Sequence, residues 1–263
     1  MPLVEYSSDG PIATLTLNNP PANCYTHELM RELDEAILKA RFDDAVHALV
    51  LTGAGERFFS AGADIRMLQS VTPRFKYFFC LHANETLNRL EQTPKLVVAA
   101  INGTCVGGGL EIALAADLRI ARKGAGKIGL PEVNLGVLPG TGGTQRLARV
   151  VGKSAAIEMM ASGRLFEFDE ALQRGILNFV YEAPDRAAFL GRVYEYVRGF
   201  CPPHKAAKAV GLIKRAVQSG AEVDFADGLA LERELQQQLF ESHDAREGLG
   251  AYVEKRPPSF RGQ

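Results

Sequence analysis

Leu96-Val97-Val98-Ala99-Ala100-Ile101, followed closely by Gly107-Gly108-Gly109-Leu110-Glu111, decides how this chain folds. The first run is short and continuously apolar and reads as a strand. The glycines then open a helix that runs through Glu111 to Ala116. Working outward, Ala48 to Thr52 is a short β-branched and apolar run that reads as a buried strand, stopping at Gly53-Ala54-Gly55. Ile12 to Leu17 alternates as a strand and ends in the turn signal Asn18-Asn19-Pro20-Pro21. Between these strands lie helical patterns. One begins after the N-cap candidate Thr26, with Leu29, Met30, Leu33, Ile37 and Leu38 at helical spacing; another covers residues 74–92. Strand and helix therefore alternate through the first two thirds, which predicts an α/β protein with crossover connections.

Beyond about residue 183 the pattern changes to helices, expected at 186–200, 204–218, 222–242 and 244–254. We expect an α/β core holding the functional site over residues 1–195. A helical C-terminal region, 196–263, would pack on that core or on another subunit.

Three consecutive glycines at a helix start cost about 1 kcal/mol each relative to alanine in a helix interior. Chains bear such a cost where something must approach the backbone. A partially negative oxygen is one such visitor, since free amides at a helix N-terminus suit it; close helix–strand packing is the bland alternative. A second open turn, Ser60-Ala61-Gly62-Ala63-Asp64, could supply a further amide. Glu111 sits on a helix whose neighbours Ile112, Ala113, Leu114, Ala115 and Ala116 offer no polar face, so it needs a partner or a function. Glu132, in Leu130-Pro131-Glu132, lies in an otherwise apolar, glycine-rich stretch. Facing one pocket, burial and mutual repulsion would raise at least one carboxylate's pKa toward neutrality, which suits proton transfer.

Other patterns lead elsewhere or nowhere. Gly53-Ala54-Gly55 begins like a dinucleotide fingerprint, but Phe58 stands where the third glycine belongs. Gly140-Thr141-Gly142-Gly143-Thr144 has phosphate-loop composition without the following Gly-Lys-Ser/Thr, and reads as a tight turn into a helix near Gln145. No Gly-x-Ser-x-Gly elbow occurs. The five histidines are scattered, and the 4 cysteines form no CxxC pair, so neither zinc nor a disulfide framework is expected. With 30 basic and 31 acidic residues the net charge is −1, which draws the chain to neither nucleic acid nor an anionic membrane. No apolar run approaches the roughly 18 residues of a membrane span, and the start lacks a secretory pattern. A cytoplasmic setting is the expectation.

At these residues the sequence resembles the enoyl-CoA hydratase/isomerase (crotonase) superfamily. The likeness is carried by Phe59-Ser60-Ala61-Gly62-Ala63-Asp64-Ile65, by Ile101-Asn102-Gly103 leading into the glycine run, and by Leu130-Pro131-Glu132 with Leu135-Gly136-Val137-Leu138-Pro139-Gly140. Gly142-Gly143-Thr144-Gln145-Arg146 and the ending from Glu247 to Arg256 extend it over nearly the whole chain. The resemblance implies a spiral of repeated ββα units with a helical C-terminal trimerisation region, as a homotrimer or a hexamer formed as a dimer of trimers. It implies an acyl-CoA thioester substrate with no separate cofactor and no metal. The amides of Ala63 and Gly108 would form an oxyanion hole, with Glu111 and Glu132 as the catalytic pair of a hydratase acting on a trans-2-enoyl-CoA. Arg57, Ala61, Asp64, Ile65, Arg66 and Lys255 would meet the CoA portion, Lys255 from a neighbouring subunit. Relatives that isomerise a double bond, decarboxylate or hydrolyse keep the hole and alter the acids, and some members associate with RNA. Two departures stand out: the stretch between Asp117 and Glu132 is about one residue longer than the commonest hydratase spacing, and Asn23-Cys24-Tyr25-Thr26 replaces a more usual small or apolar pattern.

Overall fold

A computed structural model describes every residue from Met1 to Gln263. The chain enters as an antiparallel hairpin, β1 (Val4–Asp9) and β2 (Ile12–Leu17). Helix α1 (His27–Phe42) follows, capped as expected by Thr26, whose hydroxyl accepts from the Leu29 amide at 3.3 Å. Three units then repeat one plan: a long buried strand, a short strand in a second sheet, and helix. They are β3 (Ala48–Gly53), β4 (Phe58–Ser60) with α2 (Ile65–Ser70) and α3 (Pro73–Glu91); β5 (Leu96–Ile101), β6 (Thr104–Val106) with α4 (Gly108–Leu114); and β7 (Leu118–Arg122), β8 (Lys127–Gly129) with α5 (Gly143–Val151) and α6 (Lys153–Ser162). The chain finishes the α/β part with β9 (Phe166–Glu167), α7 (Phe168–Gln173) and β10 (Phe179–Tyr181). Last come α8 (Arg186–Arg198), α9 (Ala207–Gly220), α10 (Phe225–Phe240) and α11 (His243–Glu254).

The large sheet has the order β1-β2-β3-β5-β7-β10, parallel from β2 onward, and the small one β4-β6-β8-β9. Each turn of the chain thus adds one strand to both sheets, which makes the spiral of ββα units that the sequence resemblance implied. Strands β3 and β5 are buried along their whole length. Their alternate residues feed two cores: Leu49, Leu51, Val97, Ala99 and Ile101 face the one under α1, α3 and α4, while Ala48, Val50, Val98 and Ala100 meet Phe189, Val193 and Val197 of α8. Burial on both faces is why these strands read as unbroken apolar runs.

Sequence reasoning placed the C-terminal helices to within a few residues, and their burial differs sharply. Helix α8 crosses the division expected at residue 195 and covers the large sheet. Helix α9 docks through Lys214, which pairs with Asp117 at 2.9 Å and donates to the Lys95 carbonyl at 3.1 Å. In α10 only Leu235 is buried; Leu229, expected in the same stripe, is exposed. No helix is long and apolar enough to cross a membrane.

Two suspect motifs are structural. Asn102 accepts from the Gly53 amide at 3.0 Å and donates to the Gly55 carbonyl at 2.9 Å, so the Gly53–Gly55 turn is stapled to the end of β5. Asn23, in the left-handed region at φ 52°, donates to the Ala54 and Phe58 carbonyls from the other side.

Candidate active site

The second turn of small residues and the glycine run meet because β4 and β6 are parallel neighbours in the small sheet. Gly62, at φ +90°, brings its segment so close that a methyl group there would sit 3.0 Å from the Gly108 nitrogen. The Ala63 and Gly108 segments therefore share one wall. Within the glycine run the two readings divide by position. Gly107 adopts φ +56° as the N-cap of α4, and a side chain there would sit 3.0 Å from Glu132 Oε1. Gly109 instead packs against the Ser60 backbone, the helix–strand contact that was the bland alternative.

That wall belongs to a cavity of about 270 Å³. Of the residues singled out from sequence, Ala61, Ala63, Ile65, Gly108, Glu111 and Glu132 line it. Asp64 stands one step back, its carboxylate accepting from the Met67 amide at 2.9 Å to cap α2. Arg57 and Arg66 are exposed and outside the lining, the Arg57 guanidinium lying over its neighbour Phe58. Lys255 is exposed in the left-handed region at the end of α11, away from the cavity wall.

Glu111 is 2% exposed and fully engaged. Its Oε1 accepts from the amides of Thr141 and Gly143, each at 2.7 Å, and its Oε2 accepts from the Thr141 hydroxyl at short range. Burying a carboxylate without partners is costly, and here the partners come from the Gly140–Thr144 turn. The turn leads into α5 as the sequence reading expected, and the anion its amides cradle is the protein's own Glu111.

Glu132 lies across the cavity at the start of a 3-10 turn, Glu132–Leu135. It is half-buried, and its Oε2 is shielded from solvent without a hydrogen-bond partner. Burial first, and then the negative charge of Glu111, raise its pKa to about 7, against a hydrogen bond from its own backbone and the nearby Lys76 ammonium. The two acids are thus distinguished by surroundings: one gathers three donors, the other stands ready to hold a proton near neutrality.

Sequence reasoning missed several lining residues. Leu68 reaches the cavity from α2, Lys76 from α3, Tyr25 from the segment before α1, and Leu135, Val137 and Leu138 from the stretch between β8 and α5. Leu135, Val137 and Leu138 are exposed apolar residues beside Glu132, a signal visible only once the loop is known to edge a pocket. Chemically, the arrangement offers amides that can polarise a carbonyl oxygen, a hydrogen-bonded carboxylate, a proton-bearing acid and an apolar mouth.

Comparison with known proteins agrees in one direction. Residues 7–263 match the model of the family described as enoyl-CoA hydratase/isomerase. The chain is 36% identical to a probable enoyl-CoA hydratase of Bacillus subtilis, covering 100% of both, and 36% identical to the short-chain-enoyl-CoA hydratase of Clostridium acetobutylicum, covering 94% of this chain and 93% of that one. Among solved structures, the enoyl-CoA hydratase of Geobacillus kaustophilus HTA426 superposes with a TM-score of 0.96 at 43% identity, over 100% of this chain and 98% of that one.

Proposed function

The chain belongs to the enoyl-CoA hydratase/isomerase family, and from that premise we propose that it adds water to a trans-2-enoyl-CoA to give a 3-hydroxyacyl-CoA. The thioester carbonyl oxygen lies between the Ala63 and Gly108 amides. As water adds at the β carbon, charge moves onto that oxygen, and fixed amides stabilise it without reorganising. Glu111 orients the water and takes its proton; Glu132 delivers a proton to the α carbon. Microscopic reversibility exchanges those roles in the dehydration direction.

One observation carries this assignment of roles: Glu111 and Glu132 line the same cavity in opposite environments. Glu111 meets only donors, while Glu132, its pKa near 7 from burial, can hold the proton it must give. The presence of both acids favours water addition over chemistry that needs only the oxyanion hole. Leu68, Leu135, Val137 and Leu138 form a greasy mouth suited to an alkyl chain. Ala61 and Ile65 on the cavity wall, and Asp64 one step behind it, lie where the CoA portion would run, with Arg57, Arg66 and, from a neighbouring subunit, Lys255 as partners for its phosphates. Exposed Ile213, Val217, Phe225, Phe240, Tyr252 and Val253 on α9 to α11 support assembly as a homotrimer or a dimer of trimers, testable by sedimentation equilibrium.

The deciding experiment follows loss of the conjugated-thioester absorbance of crotonyl-CoA. Turnover to 3-hydroxybutyryl-CoA is expected. No loss, alongside conversion of a 3-enoyl-CoA, would replace hydration with isomerisation.

A further inference from the structure

Tyr25 touches both amide-bearing segments of the site and the turn that holds Glu111. Its amide donates to the Gly62 carbonyl at 2.9 Å and its carbonyl accepts from the Asp64 amide at 3.1 Å, so its backbone brackets Ala63. Its ring occupies the space where a side chain at Gly108 would stand, and stacks on Phe79 of α3 with centroids 5.5 Å apart. Its hydroxyl lies 3.3 Å from Thr141 Oγ1, and the Thr141 hydroxyl in turn meets Glu111 Oε2.

The direction of that chain is fixed by counting protons. A threonine hydroxyl has one hydrogen, and the Glu111 carboxylate, an acceptor, takes it. The Tyr25 hydroxyl must then be the donor to Thr141. Burial, and next the charge of Glu111, hold the phenol pKa well above its ordinary value, so the hydrogen stays on Tyr25. The relay runs Tyr25 O–H to Thr141 Oγ1, then Thr141 O–H to Glu111 Oε2.

We propose that Tyr25 and Thr141 are positioning residues for the hydration reaction, fixing the rotation of the Glu111 carboxylate relative to the Ala63 and Gly108 amides. This rests on the assignment of Glu111 as the group that activates water. The Thr141 and Gly143 amides hold only Oε1. Without the Thr141 hydroxyl, the carboxylate can turn about that anchor and carry Oε2 away from the line of attack. A reacting group displaced by a fraction of an ångström loses much of the advantage of being held.

The test is a mutant cycle on crotonyl-CoA hydration. A hydrogen bond to a charged group supports an expected kcat loss of about 10–100-fold in Thr141→Ala, with KM within about threefold. Thr141→Ser should recover most of that loss. Tyr25→Phe keeps the ring and removes only a long hydrogen bond, so about 2–5-fold in kcat is expected. In the Glu111→Gln background both substitutions should cost less than about twofold more, because the group they act through is gone. A merely structural role would give the same loss in both backgrounds, and that result overturns the proposal. So do Thr141→Ala and Tyr25→Phe enzymes within twofold of wild type while Glu111→Gln is severely impaired; the hydratase assignment then survives. A nearly active Glu111→Gln enzyme removes both. If Thr141→Ala fails to fold, as read by thermal unfolding, the Tyr25→Phe pair decides in the same way.

Discussion

Glu111 and Glu132 carry the same carboxylate into the same cavity, and their surroundings share little else. Glu111 sits on a regular helix, 2% exposed, with three donors from one glycine-rich turn. Glu132 opens a 3-10 turn, half-buried, with one oxygen unpartnered and a pKa raised to about 7. The difference teaches that the fold sets the chemistry of an acid through what surrounds it. Donors aimed at a carboxylate favour its charge, whereas apolar burial without donors favours its proton.

The largest effects should come from removing either acid. Glu111→Gln and Glu132→Gln should each lower kcat about 10²–10⁴-fold, the usual worth of a general acid or base. Both should stay folded. At position 111 a glutamine can still accept the Thr141 and Gly143 amides with its oxygen, and its NH₂ can donate to Thr141 if that hydroxyl turns toward Tyr25. Steady-state kinetics with thermal unfolding tests this, and a loss under tenfold at either site breaks the division of labour. Next in size, Gly108→Pro removes an amide from the wall both acids face and should cost about 10²–10³-fold in kcat. Circular dichroism must accompany that variant, because α4 begins at this residue.

How far could this contrast be seen in the sequence? Buried strands such as Leu96–Ile101 were legible because burial on both faces leaves a continuous apolar run. The small sheet was not, since β4, β6, β8 and β9 have only two or three residues each, too few to display a period of two. In the site, Glu111 and Glu132 were visible through their glycine and proline neighbours, which are local signals. Thr141 lies thirty positions from the carboxylate it holds, and Tyr25 lies 116 from Thr141. Such pairings arise from sheet topology, and no local spacing encodes them. The Gly140–Thr144 turn shows the limit most clearly: it read as a tight turn into a helix, which it is, and only the fold shows that its amides hold Glu111.

A finer probe is the pH profile of kcat/KM, which reports the free enzyme. Because Glu132 must begin protonated to give up a proton, activity should fall on the alkaline side through about pH 7, roughly tenfold per unit beyond it. Glu132→Gln should flatten that limb along with lowering the rate. A wild-type profile level from pH 6 to 9 would remove protonated Glu132 as the proton donor.

The smallest effect is on stability, and its sign is distinctive. Glu132 has a folded pKa near 7 against an ordinary 4.5. Between those values the folded state holds a proton that the unfolded chain releases, so rising pH costs stability through this window and the full penalty is present above about pH 7. The shift sets an upper bound of about 3 kcal/mol, which partial exposure and water relaxation reduce. Most paired carboxylates act in the opposite sense, stabilising as pH rises. Glu132→Gln removes the penalty, so its stability relative to wild type should improve from pH 5 to pH 8, by about 1–2 kcal/mol in urea unfolding. No gain in Glu132→Gln between pH 5 and pH 8 would mean that the unpartnered Oε2 of Glu132 finds a donor in solution, and the contrast between the acids would have to be sought in the bound substrate instead.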